Sequence, residues 1–410
     1  MKRLFALWLL AASPALAEPG FPPEAAVTAA LDNHPTVVAA RARITSARAD
    51  ARMLAVGPQE VVVQGTVQRR DVRGVGNVPE YDLQLTRPIR LPGKAAIDRR
   101  VGAAEIDAAD NRADDARHQA ALMLSRQWWA WAGAAEENRT LRATADLMVT
   151  AAQATRQRLR LRDASALELD SALAAQASAR AAALSAAARE NGARAVLAAN
   201  FPDLPLPSEA PPLPVPALPA EGPARLAVLV VERSHEIGAS AADLARAEAM
   251  RARAARDRVA DPSIGVRGFS EQGGNERGVG VFVSMPLGGR SRAAAAEKAS
   301  ALSAAAAADL AATRSSINAM AAEDAALAVG YLRAWEQAQI AAAASMTAAD
   351  RQRRGHSMGG VDLADRLLIE RLARDAALDE VKARTAALEA ITRFRVDSHT
   401  LWMHAEDHGQ

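Results

Sequence analysis

Residues 81–96 read YDLQLTRPIRLPGKAA. Tyr81, Leu83 and Leu85 alternate with Asp82, Gln84 and Thr86, which is strand patterning. Pro88 and Pro92 then interrupt the pattern, because proline has no N–H to give a ladder. Gly93 permits a tight passage, and Lys94 opens an alanine-rich stretch of helical character. The same succession recurs at residues 279–294, VGVFVSMPLGGRSRAA, where Pro286, Gly288 and Gly289 stand between strand and helix.

The recurrence organises the whole chain. Residues 24–56 and 223–260 are both helical, with apolar residues three and four apart, and His34 and His235 occupy matching places 201 residues apart. Two short alternating segments follow in each half: EVVVQGTVQRR with YDLQLTRPIR, and SIGVRGFSEQ with GVGVFVSMPL. Pro88 and Pro286 are 198 residues apart. Each half continues with a very long helix, 95–160 or 291–354, then a break and a further helix, 166–200 or 361–400. Glu168 and Asp362 match across this last part. Residues 201–222 carry a proline-rich linker, predicted to be extended and to cross the surface. At 1.5 Å per residue the 95–160 helix is about 100 Å long, and the two shorter helices of its half sum to nearly that length.

Composition agrees with long thin helices. Half of the 410 residues are hydrophobic, but only 3% are aromatic and most of the apolar count is alanine. Such helices pack closely through small side chains and have few large residues for a thick core. Residues 1–17, MKRLFALWLLAASPALA, join two positive charges to a short apolar run and a small-x-small site, so a signal peptide is expected, with a mature start at Glu18. Without cysteine there is no disulfide, thiolate metal site or lipid-modified Cys. No later stretch reads as an apolar spanning helix; a membrane crossing would have to use strands. The net charge of +2 and the interrupted basic pairs Arg69-Arg70 and Arg99-Arg100 describe solvated helix faces, which argues against nucleic-acid binding. The serines lie in no nucleophile-elbow pattern, and neither the histidines nor any carboxylate pair forms a recognisable catalytic setting.

Val61, Val63 and Val67 share one face of the first strand, and Val279, Val281, Val283 and Met285 share one face of the fourth. One apolar and one polar face over about ten residues suits a membrane barrel strand. It suits equally a hairpin half-buried on a helix. Four strands cannot close a barrel alone, and three protomers would supply twelve. The third strand alternates poorly, and only Tyr81, Phe269 and Phe282 are available as girdle aromatics.

The order, duplication and spacing of NHPTVVAARARITSARAD, RPIRLPGKAA, MPLGGRSRAA, SALELDSAL and GVDLADRLL resemble the TolC-type outer-membrane efflux factors, over essentially the whole mature chain. The resemblance implies a mostly α fold with a small β part, in two tandem repeats at 18–200 and 223–400, followed by a tail at 401–410. Long helical hairpins would form a periplasmic tunnel, and four strands per protomer would join a 12-stranded trimeric outer-membrane barrel. It implies a homotrimer in outer-membrane lipid, fed by a periplasmic adaptor and an inner-membrane pump of the resistance-nodulation-division type, performing no chemistry and needing no cofactor. Pro88, Pro92, Gly93, Pro286, Gly288 and Gly289 would be the barrel-to-tunnel joints.

By the same resemblance Asp362 and Asp365 would gate the channel. Their spacing puts both on one helix face, and a threefold axis would make each a carboxylate ring. Ordinary acids at a helix start, favoured by its dipole, are the alternative. The first helix turn, RLRDASALEL, lacks the family's customary glycine, leaving Asp163 for the left-handed position. The second has Met358 where some members place a gate-bracing Arg. IRLPGKAA is most similar to the heavy-metal cation efflux branch. His399, His404 and His408 in the tail are weak candidates for a metal site against the alternative of a polar tail. A periplasmic coiled-coil adaptor is the rival from another class, but should show a lipoyl-like β-domain and no twofold repeat.

Overall fold

A computed structural model describes residues 20–402. The expected signal peptide, with His404 and His408, lies outside the described residues. The first half of the chain runs α1 (Glu24–Asp32), α2 (Pro35–Val56), β1 (Val62–Val72), β2 (Gly76–Pro88), α3 (Lys94–Arg160) and α4 (Ala166–Asn200). The second half repeats that order with α5 (Pro223–Glu232), α6 (His235–Arg256), β3 (Ser263–Glu271), β4 (Glu276–Ser284), α7 (Arg290–Ser357) and α8 (Leu363–Asp397).

Each expected entry helix is two helices. Pro35 sits at the first position of α2, and a residue preceding proline is driven out of the helical region, so His34 breaks the first. Its Nδ1 turns back to the Thr36 hydroxyl at 2.7 Å. In the second half Ser234 is the N-cap of α6, its hydroxyl accepting from the Ile237 N–H at 3.2 Å. His235 is therefore the first residue of α6 while His34 precedes α2, one position out of the expected match.

The chain divides into two compact units that cut across the sequence repeats. One comprises the described residues up to Val38, Ala116–Arg233 and those from Asn318 on. Its core gathers what few large residues the chain has: Trp128, Trp129, Trp131 and Trp402 with Phe21 and Phe201. The Trp128 indole N–H donates to the Gly20 carbonyl at 2.7 Å, and that of Trp129 to the Thr392 hydroxyl at 2.8 Å. Phe21 packs edge-on against both Trp129 and Trp402, so residues near both ends of the described chain close over α3. The proline-rich linker is extended, but it is docked. Phe201, Leu204, Ala210 and Leu213 are buried in that core, and Arg139 and Arg384 donate to the Ala210 and Leu213 carbonyls. Alanine and glycine make the remaining helix contacts close; a Cβ on Gly133 would stand 2.7 Å from the Thr385 side chain.

The other unit, Ala39–Asp115 with Ser234–Ile317, holds a four-stranded antiparallel sheet of order β1-β2-β3-β4. Small residues again set the helix spacing here: a Cβ on Gly102 would meet the Ala51 Cβ at 2.8 Å.

Trp129→Ala should lower unfolding stability by about 3–5 kcal/mol, as removal of a buried large ring does. Trp129→Phe should cost far less, since it keeps most of the volume and loses chiefly the Thr392 hydrogen bond, worth about 1 kcal/mol. Guanidinium unfolding followed by tryptophan fluorescence would measure both.

Candidate functional site

The register of the sheet decides its chemistry. Val63 faces Leu85, Leu85 faces Val266 and Val266 faces Val281, a row of apolar side chains across all four strands. The next rows are Gly65, Leu83, Gly268 and Val279, and Val67, Tyr81, Ser270 and Arg277, with Ile264 opposite Val283. Because side chains alternate with period two, all of these lie on one face. The opposite face carries Gln64, Thr66, Gln68, Gln84, Asp82, Glu80 and Arg267 in matching rows. Poor alternation in β3 has an explanation: Arg267, Gly265 and Phe269 belong to the polar face, where Phe269 lies opposite Gly278 and Phe282 opposite Gly265. A Cβ on either glycine would stand 2.5 Å from the facing ring, so each ring occupies the space of the missing side chain. Phe269 and Phe282 are thus not on the apolar face, which leaves Tyr81 as its aromatic.

No described helix covers that face. Val67, Val279 and Val281 are each more than three-quarters exposed, which removes the half-buried hairpin from consideration. The outer edges of β1 and β4 pair with no other described strand. Among the described residues no helix is long and apolar enough to cross a membrane.

At the joints the expectations need adjustment. Pro88 still lies within β2, opposite Ser263, and Ile89 makes one further bond, donating its N–H to the Pro262 carbonyl at 2.7 Å. Pro92 and Gly93 then bring the chain into α3, with Gly93 at φ +86°, a left-handed conformation suited to glycine. In the second half β4 ends two residues before Pro286, and Gly288 passes so close to the Arg258 carbonyl that a Cβ would lie 2.8 Å from its oxygen. Gly289 immediately precedes α7, its carbonyl accepting from the Ala293 N–H.

What the sequence pattern did not reveal is the ion network under the first joint. Lys94 is almost fully buried, and its Nζ donates to Asp257 at 2.9 Å, Asp261 at 2.8 Å and the Val259 carbonyl at 2.8 Å. Arg253 pairs with both Asp257 and Asp98, and Arg90 joins Asp98 at 3.2 Å while donating to the Leu54 and Ala55 carbonyls that end α2. Burial pushes the Asp257 and Asp261 carboxyls up. Hydrogen bonds and charge outweigh it, from Arg253 and Lys94 at Asp257 and chiefly from Lys94 and the Leu91 N–H at Asp261, and both titrate below the usual range. Arg292 donates to the Asp257 carbonyl at 2.7 Å, so both joints hold the same segment after α6.

At the helix turns Asp362 is the N-cap of α8, its carboxylate accepting from the Asp365 N–H at 2.7 Å. Both side chains are exposed. Ser165 and Glu168 form the corresponding capping box of α4. Counted from the caps, Asp362 corresponds to Ser165 and Asp365 to Glu168, which shifts the expected match by one helical turn. In the first turn the left-handed residue is Arg162, at φ 60°, and not Asp163; Asp163 instead accepts from Arg158. Gly359 takes that role in the second turn. The two turns are tied by Arg158, which reaches His356 Nε2 at 3.5 Å, while His356 Nδ1 donates to the Val361 carbonyl. His399 is buried beside His118, rings 5.1 Å apart. Among the described residues no three His, Asp or Glu side chains converge to hold a metal ion.

No protein-family model matches the sequence, and no curated protein is similar to it. Solved structures are similar. The Campylobacter jejuni CmeC outer membrane channel superposes with a TM-score of 0.71 at 14% identity, over 91% of this chain and 84% of that one. The outer membrane protein VceC from Vibrio cholerae gives 0.72 at 14%, over 91% and 95%. CusC, studied for folding and transmembrane channel formation, gives 0.75 at 14%, over 92% and 91%. This chain has their fold. At such identity the likeness concerns architecture: long helices in two repeats, and a small antiparallel sheet.

Lys94→Met should destabilise the sheet-bearing unit by about 3 kcal/mol, the lower end for a broken buried pair because Asp257 is partly exposed. Asp261→Asn, which keeps a hydrogen-bond acceptor for Lys94, should cost less. Thermal unfolding of the two variants beside the parent checks the order.

Proposed function

We propose that the chain is the outer-membrane channel of an efflux system, three copies contributing twelve strands to one barrel and their helices forming a periplasmic tunnel. One observation carries this reading: an exposed sheet whose register gathers most of the aliphatic side chains of four strands on one face and most of the polar ones on the other. Water penalises an uncovered apolar face, and a hydrocarbon layer satisfies it. Backbone groups at an open edge also require partners inside a membrane, and β4 of one copy pairing with β1 of the next supplies them. The fold shared with CmeC, VceC and CusC supports the same role.

On this reading residues 1–17 are a signal peptide, 18–200 and 223–400 are the two repeats and 201–222 the strap between them. A periplasmic adaptor and an inner-membrane pump of the resistance-nodulation-division type deliver substrate to the helix turns, and the protein conducts it passively, without catalysis. Heavy-metal cations are the proposed cargo class, on the resemblance of IRLPGKAA alone. Asp362 and Asp365 stand exposed at a helix start. Threefold repetition would turn them into carboxylate rings that attract cations at the entrance. The cap bond of Asp362 is compatible with that role, since a carboxylate retains a second oxygen.

Val281→Lys should reduce recovery of the protein in the outer-membrane fraction sharply, because a cation at the lipid midplane costs about 2–4 kcal/mol. Gln84→Lys, on the polar face, should insert normally. Equal recovery of the two variants, or a parent protein found only in the soluble periplasm, would overturn the barrel. In planar bilayers Asp362→Ala with Asp365→Ala should raise resting conductance and weaken block by divalent cations; unchanged block would remove both residues from the gate.

A further inference from the structure

A second ion cluster lies where α3, α7 and α8 meet. Asp324 of α7 and Asp397 of α8 are 1% and 2% exposed. Neither Asp324 oxygen meets an N–H or O–H donor in hydrogen-bond geometry, and the Asp397 carboxyl is the neighbour whose closeness favours its protonated form. His118 Nε2 of α3 donates to Asp397 at 2.9 Å, and Arg393 Nε reaches Asp324 at 3.0 Å and Asp397 at 3.4 Å. Two neighbouring carboxylates, both out of water and sharing one guanidinium, repel strongly if both are charged, which favours a proton on one of them.

We propose that Asp324 and Asp397 share a single proton, and that this proton is a latch holding α7 against α8 which alkaline conditions release. Which carboxyl keeps the proton follows from the partners. Asp397 faces both His118 and Arg393, which favour its charged form and hold its carboxyl below the usual range against burial. Asp324 has Arg393 alone and has Glu323 beside it; burial and the Asp397 carboxylate push it up to about 8. A cavity of about 430 Å³ adjoins the cluster, lined among others by His118, Arg126, Glu389, Arg393 and Asp397. It gives the helices room to shift and hydroxide or water a place to enter. The other charged groups around the pair are Arg126 from α3 and Glu389 from α8, the latter also raised by burial, with the His399 ring packed on His118.

The sign of the effect is fixed by linkage. Unfolded aspartate titrates near 3.8 and folded Asp324 near 8, so the folded chain takes up one proton that the unfolded chain lacks. The stabilisation is complete below pH 3.8, falls as pH rises and is gone above about 8. Within that window the folding equilibrium loses about tenfold per pH unit, the consequence of one bound proton.

The test compares the full-length protein with Asp324→Asn, which keeps the geometry without the charge, and with Glu389→Gln as a control for the neighbouring acid. Guanidinium unfolding between about pH 5 and pH 9 should give a parent-to-Asn stability ratio that falls by about tenfold per unit and levels off above about pH 8. Glu389→Gln should retain the Asp324-dependent slope. A ratio independent of pH would overturn the proposal. Should Asp324→Asn fail to fold, hydrogen exchange of the parent decides. Protection factors of amides at 318–330 and 389–398 should fall as pH rises toward about 8 and level off above it, while those of α4 hold. Parallel behaviour of the two regions would overturn it.

Discussion

An antiparallel sheet of four strands with two open edges and one uncovered apolar face is not a stable end point in water. Everything else in the chain accommodates that constraint. Apolar rows continue from β1 through β4 without a register slip, although β2 and β3 are separated by the whole of α3 to α6. A one-residue slip between them would have carried Val266 and Ile264 to the polar face. On the other side of β3, the pairing of Phe269 with Gly278 and Phe282 with Gly265 fixes its register against β4, because each ring occupies the space over a glycine.

Holding two hairpins from distant parts of the chain in one register requires a firm base, and the Lys94 network provides it. Lys94 belongs to the first half and Asp257 and Asp261 to the second, so the ion pairs bridge the repeats at the point where strands give way to helices. Buried ion pairs add little net stability once desolvation is counted, but breaking one is costly, so they select among arrangements. Here they select the one in which the end of β2 lies beside the start of β3. The two repeats are not chemically equivalent at this point: the first joint is held by a buried amine, the second by the Arg292 guanidinium and the close pass of Gly288.

Features that depend on local pattern could be read from the sequence alone. The two repeats, the long helices, all four strands and the glycines at the joints follow from periodicity and from proline and glycine chemistry, and α4 matches its expected bounds. Features that depend on which distant residues meet could not. His34 and His235 looked equivalent because each holds the matching place in one of two similar helical segments, but Pro35 and the Ser234 cap determine where the helices after them start. The left-handed residue of the first turn was assigned to Asp163 for its tolerance of that conformation. The hydrogen bonds from Arg158 to Asp163 fix the turn otherwise and place Arg162 there. Asp324 and Asp397 carry no motif at all, and Lys94 stands in IRLPGKAA only as the start of a helix; each is an ordinary charged residue until three-dimensional packing buries it.

The carboxylates at the second helix turn show how far a position constrains a role. Asp362 is explained as a cap by its bond to the Asp365 N–H, and such caps are worth about 1 kcal/mol wherever they occur. Ser165 makes the corresponding cap in the other repeat without a negative charge. The choice of aspartate in one turn and serine in the other is therefore not demanded by capping, since both residues cap well. What distinguishes the turns is charge. Beside Asp362 and Asp365 stand Arg351, Arg353 and Arg354 at the end of α7, whereas the end of α3 pairs Arg158 with Asp163. Of that arginine group Arg353 is engaged with Asp350 and the buried Glu370. On the proposed function the two exposed aspartates supply the charge that a cation entrance would use, which capping alone does not require.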